Sequence, residues 1–228
     1  MGEADVKNLA GRVIRLMAGL FLISLATVMT CQAGLGIAPW DVLHQGISKI
    51  LPISMGQASI VLGLLILAAD VLARERIGVG TVLNLVFVGL FMDAINLVNS
   101  HVPLIPEAET LLGGFILLLL SFPFMSFGMY LYMAPRLGAG PRDSMMVALK
   151  RRLPVSVGLC RLGMEAVALL IGWMLGGTVG IGTVLLVLCN GPAMQLCFKI
   201  LHFNVTEKPN ESLGETLELL RKPREVAG

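Results

Sequence analysis

"GLGIAPWDVL", residues 34–43, and "RLGAGPRDSM", residues 136–145, decide how this chain is read. Each follows a long apolar run. Each sets Gly, Pro and Asp at the same relative positions: Gly36, Pro39 and Asp41 in the first, Gly138, Pro141 and Asp143 in the second. The shift is a constant 102 positions, as from Gly36 to Gly138, and the same register adds Leu51 with Leu153, Pro52 with Pro154, Ser54 with Ser156 and Gly56 with Gly158. It continues through "GVGTVL" at 78–83 with "GIGTVL" at 180–185, and through Gly89 with Gly191. Identity sustained this far in one ungapped register marks an internal repeat.

The apolar runs around these motifs set the class. Apolar residues make up 56% of the chain and charged residues 14%, with a mean hydropathy of +0.83, which excludes an ordinary soluble domain. A bilayer core needs roughly 20 mainly apolar residues per helix. Six stretches qualify: 13–33, 55–73, 80–99, 111–133, 157–175 and 182–203. They are continuous Leu, Val, Ile, Ala and Gly runs, whereas a transmembrane β-barrel shows short alternating strands. The expected fold is therefore an all-α integral membrane protein of six transmembrane helices. The first run resembles a signal sequence in its basic flank, but it is long for one, and its counterpart at 111–133 lies mid-chain.

Lys and Arg are retained on the cytoplasmic side of membrane helices. With the N-terminus inside, all of the 17 basic residues except Lys49 fall at or near that face, and the acidic connection "HVPLIPEAET", 101–110, becomes an external loop. The divisions are then residues 1–10 as a cytoplasmic N-terminus, 11–100 and 111–203 as two three-helix repeats, and 204–228 as a cytoplasmic tail. Three crossings per half invert the second half relative to the first, a design recurrent in transporters, whose sites lie between the repeats.

Proline suits the first turn of a helix, where its missing N–H is not needed, and an acid in that turn offsets the positive helix end. The motifs thus predict short helices over 39–50 and 141–152, each stopped by Leu-Pro. Ser54 and Ser156 cap the next spans, with Gln57 completing a capping box in the first copy. Twelve residues reach about 18 Å, roughly half of a bilayer. Two arrangements remain open: re-entrant helices whose N-termini converge on a central site, or flat interfacial connectors in which Asp41 and Asp143 only cap. Gly36, Pro39, Asp41, Gly138, Gly140, Pro141, Arg142 and Asp143 are the candidate pathway residues of the motifs.

Ionisable groups within a span are expensive and mark function by default. Arg161 and Glu165 lie four apart on the fifth span and pair on one face, Arg161 within reach of the inner surface and Glu165 deeper. Asp93, in the third span, aligns with Gln195 and is expected to face the interior or a hydrated path. Asp70 sits one turn from Arg74 and reads as structural; His44 reads as interfacial. Asn84, Asn190 and the Gly191-Pro192 step point to interhelical hydrogen bonds and a bend. Gly172, Gly176 and Gly180 favour close helix packing. A short capped helix is expected at 212–222 in the tail. The four cysteines lie in or beside apolar runs without metal-ligand spacing, so no metal is expected, and no cofactor, phosphate-loop or nucleophile–base pattern supports an enzyme.

The stretches "GLGIAPWDVLHQGIS", "GVGTVLN", "GAGPRDSMMVALKRR", "VGLCRLGMEAVALLIGWMLGG" and "VGIGTVL" resemble bacterial YczE/YyaS/YitT-type membrane proteins, the YczE branch in particular, over residues 11 to about 203. The resemblance implies a bacterial multi-pass inner-membrane protein and carries over no catalytic or binding residue. The expected function is a small-solute carrier or channel with its path at the repeat interface, proton-coupled through Glu165 or Asp93. The competing reading is a membrane scaffold that positions or regulates a partner. The expected partners are the lipid bilayer and a small solute or ion, with a homo-oligomer or membrane partner open and no nucleic acid.

Overall fold

The computed structural model describes residues 3–204 and 210–216. Lys208, Arg221, Lys222, Arg224 and the end of the expected tail helix lie outside the described residues. Among the described residues eight helices of 12 residues or more follow one another: α1 (Glu3–Gln32), α2 (Pro39–Ile50), α3 (Met55–Leu72), α4 (Val79–His101), α5 (Leu111–Met133), α6 (Pro141–Arg152), α7 (Val157–Met174) and α8 (Ile181–Ile200). Six of them, all but α2 and α6, are long and apolar enough to cross a membrane. The two short helices keep the bounds expected from their sequence, because Pro39 and Pro141 open them and the Leu-Pro steps close them.

α1 is the central helix. Its membrane-length window is 56% buried, against 17 to 28% for the other spans. It packs along α5 and α4, and small residues allow the approach: the Gly19 Cα lies against the backbone of Gly128 and Tyr132. Leu16, Leu20, Tyr132 and Leu137 form one fully buried cluster there, and Ala33, Leu118 and Leu186 another.

Contacts at positions 102 apart exchange partners between the halves. The Gly182 N–H donates to the Leu35 carbonyl and the Gly80 N–H donates to the Leu137 carbonyl, both at 2.7 Å. The loop before α2 is therefore docked on the start of α8, and the loop before α6 on the start of α4. Gly36 (φ +105°) and Gly138 (φ +138°) make these crossings, with Thr183 and Thr81 packed where a side chain would stand. The Thr81 hydroxyl accepts from the Gly78 N–H and donates to the Ala139 carbonyl at 2.6 Å, tying the second loop down. In the same exchanged manner α2 packs on α7 and α6 on α3. Lys49 at the end of α2 donates to the Gly176 carbonyl at 2.7 Å, while Arg151 at the end of α6 pairs with Glu75 at 3.1 Å. The close packing expected of Gly172 is against Val42 and Leu43 of α2.

Three details differ from the sequence expectation. α8 continues through Pro192 without a break in its helical assignment. Asp70 is buried, and its carboxylate has no hydrogen-bond partner among the described residues, Arg74 included. His44, expected at the membrane interface, is buried within the protein, 1% exposed, because α2 lies against α7 and α3.

Both serine caps form. The Gln57 N–H donates to the Ser54 hydroxyl at 2.9 Å, the Ser54 N–H to the Gln57 side chain at 3.0 Å, and the Leu159 N–H to the Ser156 hydroxyl at 3.2 Å. Ser54 also donates to the Asp93 carboxylate. Ser156→Ala is expected to cost about 1 kcal/mol, an ordinary cap. Ser54→Ala removes a charge-assisted bond as well and is expected to cost about 2–3 kcal/mol. Thermal unfolding of the two variants in the same detergent checks the order; equal losses would mean that the Asp93 bond contributes nothing.

Candidate functional site: a cavity between the two short helices

The first turns of α2 and α6 meet at one place. Ala38 and Gly140, the residues before the helices, and Pro39 and Pro141, their first residues, all line a cavity of about 520 Å³. Both N-terminal ends are positive dipole ends with free backbone N–H groups. Each carries its own acid in the first turn, Asp41 and Asp143. Polar side chains at this depth survive only where protein or water satisfies them, and a cavity does both.

Trp40 and Arg142 occupy equivalent positions, one residue after the prolines, and they touch each other: the guanidinium carbon sits 4.7 Å from the Trp40 ring centroid. This is a cation–π contact across the centre of the site. Arg142 Nη2 also lies 2.9 Å from His44 Nε2. A guanidinium only donates, so His44 Nε2 accepts and the imidazole proton is assigned to Nδ1. Nδ1 faces Asp41 Oδ1 at 3.4 Å, an ion-pair separation without a well-formed hydrogen bond. Asp41, His44 and Arg142 thus form a connected row from the first short helix to the second.

The other side of the cavity belongs to α5 and α7. The Tyr132 hydroxyl is buried without a hydrogen-bond partner among the described residues, beside Gly140 and Asp143. The Asp143 carboxylate lies beside Gly140. Arg161 Nε donates to Glu165 Oε1 at 2.9 Å, the i,i+4 pairing expected from sequence, with Arg161 more than half exposed and Glu165 mostly covered. Methionines from four helices (Met125 and Met129 on α5, Met146 on α6, Met164 on α7 and Met194 on α8) supply an adaptable apolar remainder.

Of the residues singled out from sequence, Pro39, Asp41, Gly140, Pro141, Arg142, Asp143, Arg161 and Glu165 line the cavity. Gly36 and Gly138 lie behind it, holding the loops on α8 and α4. Asp93 is outside the lining: its carboxylate accepts from the Ser54 hydroxyl and from the Gly56 N–H at 3.1 Å, at the start of α3. Trp40 and Tyr132 were not singled out, and His44 was assigned to the surface. For Trp40 a signal existed, since the 102-residue shift carries it onto Arg142. Tyr132 carries none, being one aromatic in an apolar span.

Residues 10–199 match the family model described as "Family of unknown function (DUF6198)". The chain is 32% identical over 176 residues to the uncharacterized membrane protein YczE of Bacillus subtilis, covering 76% of this chain and 79% of the relative. It is 31% identical over 186 residues to an uncharacterized protein of Haemophilus influenzae, covering 82% and 83%. It is 23% identical over 189 residues to the uncharacterized protein YyaS of Bacillus subtilis, covering 81% and 92%. No solved structure matches.

Proposed function

The chain belongs to the DUF6198 family of YczE-type membrane proteins, and on that premise we propose that it is a carrier for a small polar solute, with the path running through the cavity between α2 and α6. The observation that carries this reading is the convergence of both Gly/Pro/Asp helix starts on one largely apolar cavity, in which a few charged groups, the Arg161–Glu165 pair among them, stand together. A cavity that gathers charged groups of both signs among membrane helices favours solute binding over a role that only positions a partner. Paired half-length helices with their N-termini at a central site are a recurring solution to solute binding inside a bilayer.

In this reading the halves are inverted repeats about an axis in the membrane plane, passing between Trp40 and Arg142. The exchanged contacts at the 102-residue spacing support it, as does the odd number of spans in each half. Both termini face the cytoplasm and the protein lies in a bacterial cytoplasmic membrane, in keeping with the distribution of Lys and Arg. Asp41, Arg142, Asp143 and Glu165 bind the solute, and His44 orients Arg142.

The test is counterflow in proteoliposomes with three labelled panels: small zwitterions, organic cations and organic anions. Saturable flux of at least one class is expected. Glu165→Gln, which keeps the shape and removes a charge, is expected to reduce it by about tenfold or more. Folded, monodisperse protein that moves none of the three classes would overturn the carrier reading and leave a scaffold role.

A further inference from the structure

The two halves agree in sequence register but not in packing. Gly56 at the start of α3 and Gly89 in the middle of α4 are both buried in mutual contact; a Cβ on either would collide with the other's carbonyl oxygen. Their counterparts are Gly158 on α7 and Gly191 on α8. A Cβ on either of these meets nothing within 4 Å. Gly158 is exposed, Gly191 is half-buried, and both line the cavity. α3 packs along α4, whereas α7 and α8 make no more than marginal contact among the described residues.

The polar groups divide in the same way. Asp93 on α4 reaches across to the Ser54 hydroxyl and the Gly56 N–H, latching α3 to α4. Its counterpart Gln195 on α8 is exposed, and Ser156 caps its own helix through Leu159. On the cavity-facing side of α3, Gly63 packs against Leu85 of α4, and Ser59 lines the cavity one turn before it. The counterparts on α7 are Arg161 and Glu165, and their ion pair stands in the gap. Three spans, α3, α4 and α5, separate Gly56 from α6 and Gly158, so the two openings belong to opposite faces of the membrane.

We propose that this arrangement is one of two alternating states: Gly56 and Gly89 form a closed gate latched by Asp93, Gly158 and Gly191 form its open counterpart, and transport requires the second pair to close as the first parts. The inference rests on the carrier reading above. Two packings of equivalent sequence give a two-state element that a solute can bias by binding one state better. Closing the second gate buries the Arg161–Glu165 pair, so a polar solute that hydrogen-bonds the pair favours that closure. Asp93 is a positioning residue, acting on the gate and not on the solute. With the N-terminus inside, the present state is open to the cytoplasm.

The first experiment uses the full chain in proteoliposomes, with Cys31, Cys160, Cys189 and Cys197 replaced by alanine and with Gly158→Cys and Gly191→Cys added; both positions have room for a side chain. Copper phenanthroline is expected to join them, and counterflow is expected to stop and to return on reduction. Flux with no cross-link would overturn the gating inference and leave the carrier reading standing. Cross-linking with no flux of any panel would support the gate and overturn the carrier. The second experiment needs no cysteine: hydrogen exchange of Asp93→Asn in nanodiscs. Exchange at residues 54–58 is expected to quicken about tenfold, with reciprocal slowing at 156–160. Quickening without that slowing would make Asp93 a cap and nothing more, and would overturn its role as a latch.

Discussion

Arg142→Met is expected to abolish solute flux and to destabilise the solubilised protein by about 2–3 kcal/mol, at the low end for a broken buried charge pair because the cavity admits water. The cation lies among Asp41, Asp143 and Glu165, stacks on Trp40, and occupies the acceptor nitrogen of His44. Methionine fills the volume and removes all of these at once. Glu165 then keeps Arg161, Asp41 and Asp143 each lose a neighbouring cation, and His44 Nε2 is left without its donor. Arg142→Lys restores the charge without the planar fork that stacks and donates in fixed directions. It is expected to recover most of the stability and a minor part of the flux. Arg151→Gln is the comparison, because Arg151 is an exposed cation whose partner Glu75 is mostly covered; it is expected to cost about 1–2 kcal/mol and to leave the flux unchanged. Melting curves and counterflow on the three variants decide the matter. An Arg142→Met protein that melts and transports like the parent would show that the row from Asp41 to Arg142 is incidental.

Gly36→Ala is expected to be more damaging still to the fold, by about 3–5 kcal/mol. Two costs add. A side chain at a positive φ of this kind carries about 1–3 kcal/mol of strain. The new methyl would also stand 2.5 Å from the Gly180 nitrogen and 2.6 Å from the Thr183 hydroxyl. Relieving that collision moves the loop off α8 and loosens the bond from Gly182 to Leu35, a further 1–3 kcal/mol or so for buried groups left unpaired. Gly34→Ala separates the terms: its φ is also positive, at +66°, but no atom lies within 4 Å of the added carbon. Only strain of about 1–2 kcal/mol is expected there. Gly138→Ala, against Gly78 and Thr81, is expected to match Gly36→Ala. The yield of monodisperse protein and its melting temperature report all three, and a Gly36→Ala protein no weaker than Gly34→Ala would refute the docking argument.

The elements of this protein were legible in its sequence to within a few residues because their signals are local, except that α1 begins at Glu3, ten residues ahead of the expected span. A run of apolar residues long enough for a bilayer is a span wherever it lies. Pro39 and Pro141 start short helices because the proline ring presets φ, and Ser54 and Ser156 cap because their hydroxyls accept from amides three residues on. The 102-residue register is a feature of the sequence itself, and it carries Trp40 onto Arg142. The Arg161–Glu165 pair followed from helical spacing alone.

What touches what was decided only by the tertiary structure. In lipid a helix is apolar all round, so its sequence does not show which face meets protein, and His44 and Tyr132 gave no sign that they would be buried. Asp93 looked like a pathway carboxylate because an acid in a span demands partners; that they are the cap of α3, 37 to 39 positions away, is a fact of packing. The sequence repeat, finally, is symmetric, while the contact at Gly56 and Gly89 and the gap at Gly158 and Gly191 are not. Nothing in the two glycine pairs themselves tells them apart; only packing sets Gly56 against Gly89 and leaves Gly158 and Gly191 facing open space among the described residues.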